Sequence, residues 1–153
     1  MTTGPCVPSQ AESTTEIRIV NEMSEIEQVV ELVASFGASH QVSNSVIVAL
    51  KVSLDEVLNN IISYGYDDTR RHDIEVRLAV RSGGVEVIVE DDGKPFDPLA
   101  VATPRPRSQS EVGGVGLHFV RSLMDQLEYS RRDGVNRLRL VKKLENRPWT
   151  HRA

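Results

Sequence analysis

The sequence predicts an α+β fold, a two-layer sandwich in which a mixed, mostly antiparallel sheet carries three helices on one face. Three observations predict it. Segments with period-two apolar alternation and segments with apolar residues at three- and four-residue steps follow each other in the order β-α-α-β-β-loop-α-β-β. Two pairs of strand segments are joined by hairpin-type turns, Ser82-Gly83-Gly84 and Asp133-Gly134, which makes those neighbours antiparallel. Each helical segment has one apolar stripe, which needs a shared layer to cover it.

The first strand rests on Ile17 and Ile19, with Met23 continuing the alternation. Ser24, with Glu27 three residues on, has capping-box spacing and is expected to start a helix. That helix runs through Ile26, Val29, Val30, Val33 and Phe36, with Gly37 as the expected C-cap. A longer helix starts at Ser43 or Asn44, buries Val46, Ile47, Leu50, Leu54, Val57, Leu58, Ile61 and Ile62, and stops near Gly65. Ile74, Val76, Leu78 and Val80, then Val85, Val87 and Val89, form a hairpin that ends in Glu90-Asp91-Asp92-Gly93. Residues 97–113 form a loop rich in Pro, Arg and Ser, long enough to suggest a task of its own. A third helix is expected from Gly116 to about Leu127, using Leu117, Val120, Leu123, Met124 and Leu127, and two final strands follow over 127–130 and 136–144.

With 153 residues, 39% of them hydrophobic and 26% charged, the chain suits one domain, expected over 15–144, with a disordered leader at 1–14 and a frayed tail at 145–153. The net charge of -4 offers no basic surface for direct nucleic-acid binding. Cys6 is the only cysteine, so neither an intramolecular disulfide nor a cysteine zinc cluster can form. No apolar run approaches the roughly 20 residues that span a bilayer, and the N-terminus has no signal-peptide pattern, so a cytoplasmic protein with no membrane partner is expected.

Three clusters have chemical content. Glu56 and Asn60 lie four apart and share one face of the second helix. They are either an exposed rim pair or a carboxylate and an amide oxygen turned toward a ligand, the amide oxygen being a hard, neutral donor suited to Mg²⁺. Asp91-Asp92-Gly93 is either an acidic turn or a strand-end carboxylate that accepts from a base's amino group, with Gly93 allowing the backbone close to a ring. Gly113-Gly114-Val115-Gly116-Leu117 is either a hinge or a helix N-terminus whose N–H groups meet anionic oxygens. Neither a P-loop nor a dinucleotide fingerprint matches it.

In this order, Glu56-x-x-x-Asn60, Asp91-x-Gly93 and Gly114-x-Gly116-Leu117 resemble the N, G1 and G2 boxes of the GHKL ATPases, over about residues 15–144. Asn60-x-x-x-x-Gly65-Tyr66, Phe96-Asp97 and Leu123-Met124-Asp125 make the chain most similar to the anti-sigma-factor serine-protein kinases of the RsbW and SpoIIAB type. The resemblance implies the Bergerat-type ATP-binding fold and binding of ATP and Mg²⁺. It assigns Asn60 to the metal, Glu56 to the general base, Asp91 with Gly93 to adenine, and Gly114 and Gly116, with Leu117 beside them, to the phosphates. Residues 97–113 become the ATP lid, with Arg105 and Arg107 facing either phosphates and a partner or solvent. Two positions depart from the family: Tyr64 stands where a His is usual, and Asn136, counted among the nucleotide-binding residues, takes a place where Thr is common. The implied function is an ATP-dependent serine-protein kinase that phosphorylates an anti-anti-sigma STAS-domain partner and sequesters a sigma factor. The alternatives are a non-catalytic ATP-binding switch and an interaction domain without nucleotide. A homodimer is compatible with the resemblance.

Overall fold

Alternation decides the sheet. Side chains two residues apart share a face, so Ile74, Val76 and Leu78 point one way, as do Val85, Val87 and Val89, and all six are buried. The computed structural model describes residues 14–100 and 115–144. Its elements are β1 (Thr14–Val20), α1 (Ile26–Ser39), α2 (Asn44–Tyr64), β2 (Asp73–Arg81), β3 (Gly84–Asp91), α3 (Val115–Leu123), β4 (Gln126–Arg132) and β5 (Val135–Lys143), with 3-10 turns at Met23–Glu25 and Pro98–Ala100. The expected leader, the tail, Cys6 and the loop positions Arg105, Arg107 and Gly114 lie outside the described residues.

The strands form one sheet in the order β1-β2-β3-β5-β4. All of its pairings are antiparallel, where a mixed, mostly antiparallel sheet was expected. The fold is the expected α+β arrangement. α1 lies against β1 and β2, α2 against β5, and the helices pack on one another from α1 to α2 to α3. Ile19, Val33, Leu50, Leu54, Leu58, Val76, Leu78, Val87, Val120 and Leu140 belong to one core between the two layers. The other face of the sheet carries cross-strand ion pairs, Arg18 with Glu75, Arg77 with Glu90, and Arg139 with Glu86 at 2.7 Å. Such partly solvated pairs add little stability individually and mark a wet face.

Both hairpins close through two residues with positive φ, Ser82 (50°) with Gly83 (82°) and Asp133 (51°) with Gly134 (78°). That conformation matches the strand twist and sets register. Register then aligns one row across the end of the sheet on the helix side: Ile19, Ile74, Asp91, Asn136 and Arg131 are successive partners. The row is apolar beneath α1 and turns polar at β3.

Several boundaries differ from expectation. α1 continues through Gly37 to Ser39, because Gly37 is buried against Ile47 of α2 and serves close helix approach rather than termination. Ser24 falls inside the 3-10 turn, and no side chain caps α1. Met23 leaves the strand and is 47% exposed. α3 stops at Leu123: Lys142 Nζ donates to the Leu123 carbonyl at 2.8 Å, and Asp125 Oδ2 accepts from the Lys143 amide at 2.7 Å. Leu127 therefore joins β4, opposite Leu140. No helix among the described residues is long and apolar enough to cross a membrane.

Helix α2 holds one wall of the site, and Leu58, fully buried, anchors it. Leu58→Ala is expected to cost about 2–5 kcal/mol. In urea unfolding the midpoint should fall with the slope unchanged. A loss below about 1 kcal/mol would mean that α2 is not packed at this point.

Candidate functional site

Two chain ends meet where the polar row leaves the core. Asn60 lies three residues beyond the buried Val57, so α2 turns it to the core side just where the apolar filling ends. Its Nδ2 donates to the Glu56 carbonyl at 2.7 Å, and no described residue donates to its Oδ1. Across from it, the period of β3 that buries Val87 and Val89 brings Asp91 to the same face, 7% exposed. Between them lies a cavity of about 410 Å³, within the range of small-molecule sites. Asn60, Tyr66, Asp91 and Asn136 line it, with Val57, Phe96, Leu117 and Leu138 as apolar walls. Tyr64, at the family's usual His position, also lines it and is 48% exposed.

A buried carboxylate must be compensated. Asp91 Oδ1 accepts from the Gly93 amide at 2.8 Å and from Asn136 Nδ2 at 3.0 Å. Asn136 Nδ2 also reaches the carbonyls of Gly93 (3.3 Å) and Lys94 (2.9 Å). Its Oδ1 accepts from Tyr129 Oη at 2.6 Å and Arg131 Nη1 at 2.8 Å, and the same Nη1 donates to the Gly93 carbonyl at 2.8 Å. Burial pushes the Asp91 carboxyl above the usual carboxylate range, while the Asn136 and Gly93 hydrogen bonds and the Arg131 charge pull the other way. Asp91 Oδ2 accepts nothing among the described residues. The site thus offers one anchored oxygen and one free acceptor to a group that brings N–H donors.

The turn after β3 is sewn to the end of α2. The Lys94 amide donates to the Gly65 carbonyl at 2.7 Å. A Cβ at Gly93 would stand 2.7 Å from that carbonyl oxygen and 2.8 Å from Asp91 Oδ1, so only glycine fits without displacement. Further out, His72 bonds Asp68 at 2.8 Å and Asp92 at 3.1 Å and stacks on Tyr66 at 4.3 Å, while Lys94 Nζ bonds Asp67 at 2.8 Å. The Asp68 and Asp92 hydrogen bonds raise the His72 pKa. The Tyr66 hydroxyl is buried without a hydrogen-bond partner among the described residues, and burial, with Asp91 nearby, raises its pKa.

The sequence-expected residues fall into three places. Asn60, Asp91, Leu117 and Asn136 share the cavity wall, and Gly93 braces Asp91. Gly116 opens α3 against Glu56: a Cβ at 116 would overlap the Glu56 carboxylate. Glu56 therefore sits at the first turn of α3 rather than on the described cavity wall. Gly114 lies outside the described residues. Sequence reasoning missed Tyr129 and Arg131. Counting register outward from Asp133-Gly134 finds Arg131, because it pairs with Asn136. The Asn60 amide oxygen, to which no described residue donates, is the kind of hard, neutral donor that suits a Mg²⁺.

Comparisons with known proteins place the chain in a family. The family model described as histidine kinase-like ATPase domain matches residues 19–142. The serine/threonine-protein kinase BtrW of Bordetella bronchiseptica is 36% identical over 97 residues, covering 60% of this chain and 67% of the relative. The serine-protein kinase RsbW of Bacillus subtilis is 30% identical over 93 residues, covering 56% of this chain and 58% of the relative. The match thus spans about three fifths to two thirds of the length of these relatives. Among solved structures, the RsbU and RsbW domains of Rv1364c from Mycobacterium tuberculosis superpose with a TM-score of 0.62 at 16% identity, covering 86% of this chain and 32% of that one, a likeness of fold.

The raised Asp91 pKa has a stability consequence. An acid whose folded pKa lies above its unfolded value favours the fold below the unfolded pKa, and that contribution is lost as pH rises through the folded pKa. Asp91→Asn keeps an oxygen for Gly93 and Asn136 and lacks this loss. Urea unfolding from pH 3 to 8 should therefore show the variant gaining on the parent as pH rises, with a plateau above the Asp91 titration. A gap that moves the opposite way would mean that Asp91 is stabilised by ionising.

Proposed function

The chain belongs to the family of histidine kinase-like ATPase domains, and on that premise we propose that it is an ATP-dependent serine-protein kinase and anti-sigma factor, acting in the cytoplasm on an anti-anti-sigma STAS-domain partner and sequestering a sigma factor. One observation supports this most: a free carboxylate acceptor, Asp91, and a metal-compatible amide oxygen, Asn60, border the same cavity beside the start of α3. The relatives named as serine-protein kinases support the phosphoryl acceptor. A homodimer, with no direct nucleic-acid or membrane contact, completes the proposal.

Each residue has a task. Asp91 Oδ2 accepts from the exocyclic amino group of adenine, while Leu117, Leu138 and Phe96 exclude water around the base. The amides at the start of α3, that of Gly116 among them, have the task of meeting the phosphates, where the helix dipole favours anions, and Gly114 is assigned the same task. Asn60 would hold Mg²⁺ through its amide oxygen, and the metal would supply charge compensation at the phosphates. The partner's serine Oγ forms a bond to the γ-phosphorus as the bond from phosphorus to the β,γ-bridging oxygen breaks. ADP leaves, and the hydroxyl proton passes to Glu56. Positioning and charge complementarity carry most of such a reaction.

One observation favours the second reading, a switch that binds ATP without transferring phosphate: the Glu56 carboxylate packs against Gly116 instead of lining the cavity. Incubation of the chain with radiolabelled Mg·ATP and a STAS-domain partner separates the two. The kinase labels the partner, whereas the switch retains nucleotide and transfers none. Glu56→Gln should bind ATP as the parent does and transfer phosphate about 10²–10⁴-fold more slowly. Transfer at the parent rate would remove Glu56 from the role of base.

A further inference from the structure

We propose that Arg131 is a positioning residue that determines base specificity: acting through Asn136, it keeps Asp91 an acceptor-only carboxylate and so selects a 6-amino purine over a 6-oxo purine. This rests on the nucleotide-binding reading above and names the part of the chain that sets its selectivity. Arg131 lies on the edge strand β4, outside the cavity wall, so it acts at one remove.

The geometry is directional. A guanidinium only donates. Arg131 Nη1 donates to Asn136 Oδ1 at 2.8 Å and to the Gly93 carbonyl at 2.8 Å. Tyr129 Oη adds a second donor to Asn136 Oδ1 at 2.6 Å. With two donors on its oxygen, the Asn136 amide presents Nδ2 to Asp91 Oδ1 at 3.0 Å. Donors thus point in sequence from Arg131 through Asn136 to Asp91, which leaves Oδ2 able to accept. A 6-amino purine supplies the N–H that Oδ2 needs, and a 6-oxo purine supplies a second acceptor, which is repelled. A protonated Asp91 would reverse the choice, because its O–H can donate to a 6-oxo group.

Three groups oppose this reversal, Asn136, the Gly93 amide and Arg131, and Arg131 is the one that also orients another of them, Asn136. Burial raises the Asp91 pKa first of all, and the neighbouring Asp92 adds to the rise. The Asn136 and Gly93 hydrogen bonds and the Arg131 charge lower it. The other charged groups nearby are engaged: Asp92 with His72, and Lys94 with Asp67. The Tyr66 hydroxyl has no hydrogen-bond partner among the described residues. β2 contributes Ile74 opposite Asp91, and α2 and α3 bring Val57, Ile61 and Leu117 to the cavity, none of them charged.

The test measures calorimetric affinities of Mg·ATP and Mg·ITP for the full chain, Arg131→Met and Arg131→Lys, between pH 5.5 and 8.5. The parent should prefer ATP throughout. In Arg131→Met the ATP-to-ITP preference should fall, most strongly at the acid end, because Asp91 loses the donor chain and the charge that favour its ionised form. Its loss of ATP affinity on acidification should begin at higher pH than in the parent. Arg131→Lys, which keeps a cation and a donor, should restore most of the preference. Two results would overturn the proposal with ATP binding intact. One is an unchanged ratio and pH profile in Arg131→Met. The other is an equal loss of both nucleotides, which marks a purely structural role. A Lys variant as unselective as Met would overturn it as well. Binding of neither nucleotide by the parent would overturn this proposal and the nucleotide-binding reading together.

Discussion

The site depends on one constraint: a carboxylate is held in the apolar end of a sheet and must be given donors there. Asp91 is buried because β3 keeps its period for one residue longer than its apolar run, so the side chain after Val89 on that face is charged. An unpaired charge in such a place costs several kcal/mol. The chain answers with the Gly93 amide folded back on Oδ1 and with Asn136 from the neighbouring strand. The answer is incomplete on purpose. One oxygen is satisfied and the other is left free, so the cavity keeps an acceptor that water or a ligand must complete.

Much of the nearby structure follows from this. The turn that returns the Gly93 amide to Asp91 brings residue 93 within 2.7 Å of the Gly65 carbonyl in Cβ terms, which ties the end of α2 to the end of β3. Asn60, one turn earlier on α2, is thereby held across the cavity from Asp91. His72, between Asp68 and Asp92 and stacked on Tyr66, braces the connecting segment from outside. Stability and binding pull against each other here, since the burial that raises the Asp91 pKa is the same burial that keeps competing water from the acceptor. Glu56 stands apart from this group. It shares a helix face with Asn60, yet its carboxylate meets the first turn of α3, away from the Asp91 end of the site.

How much of this was legible in the sequence depends on which period each residue obeyed. The hairpins were legible, because Ser82-Gly83 and Asp133-Gly134 are residues that accept the positive φ the turns require. Asn60 and Asp91 were legible as polar residues at the ends of apolar stripes, and Gly93 as the glycine of the turn that follows Asp91. Leu127 was ambiguous: three residues from Met124 it extends a helix stripe, and opposite Leu140 it belongs to a strand, and Lys142, which caps the Leu123 carbonyl, and Lys143, whose amide donates to Asp125, decided the matter from far along the chain. Gly37 was read as a stop because glycine often ends helices, but the neighbouring α2, through Ile47, needed the space. Arg131 was hidden inside Ser130-Arg131-Arg132, which has the look of a solvated edge. Only the register of β4 against β5 puts it opposite Asn136.

The central claim is that Asp91 reads a base while Asn60, across the cavity, meets the metal-bound phosphates. A crystal structure of the chain with Mg²⁺ and a non-hydrolysable ATP analogue tests it most directly. The account predicts the adenine amino group within hydrogen-bond distance of Asp91 Oδ2, at about 2.7–3.2 Å, and Asn60 Oδ1 in the metal's coordination shell. A nucleotide bound elsewhere, or a base whose edge turns away from Asp91 while Asn60 faces solvent, would contradict it.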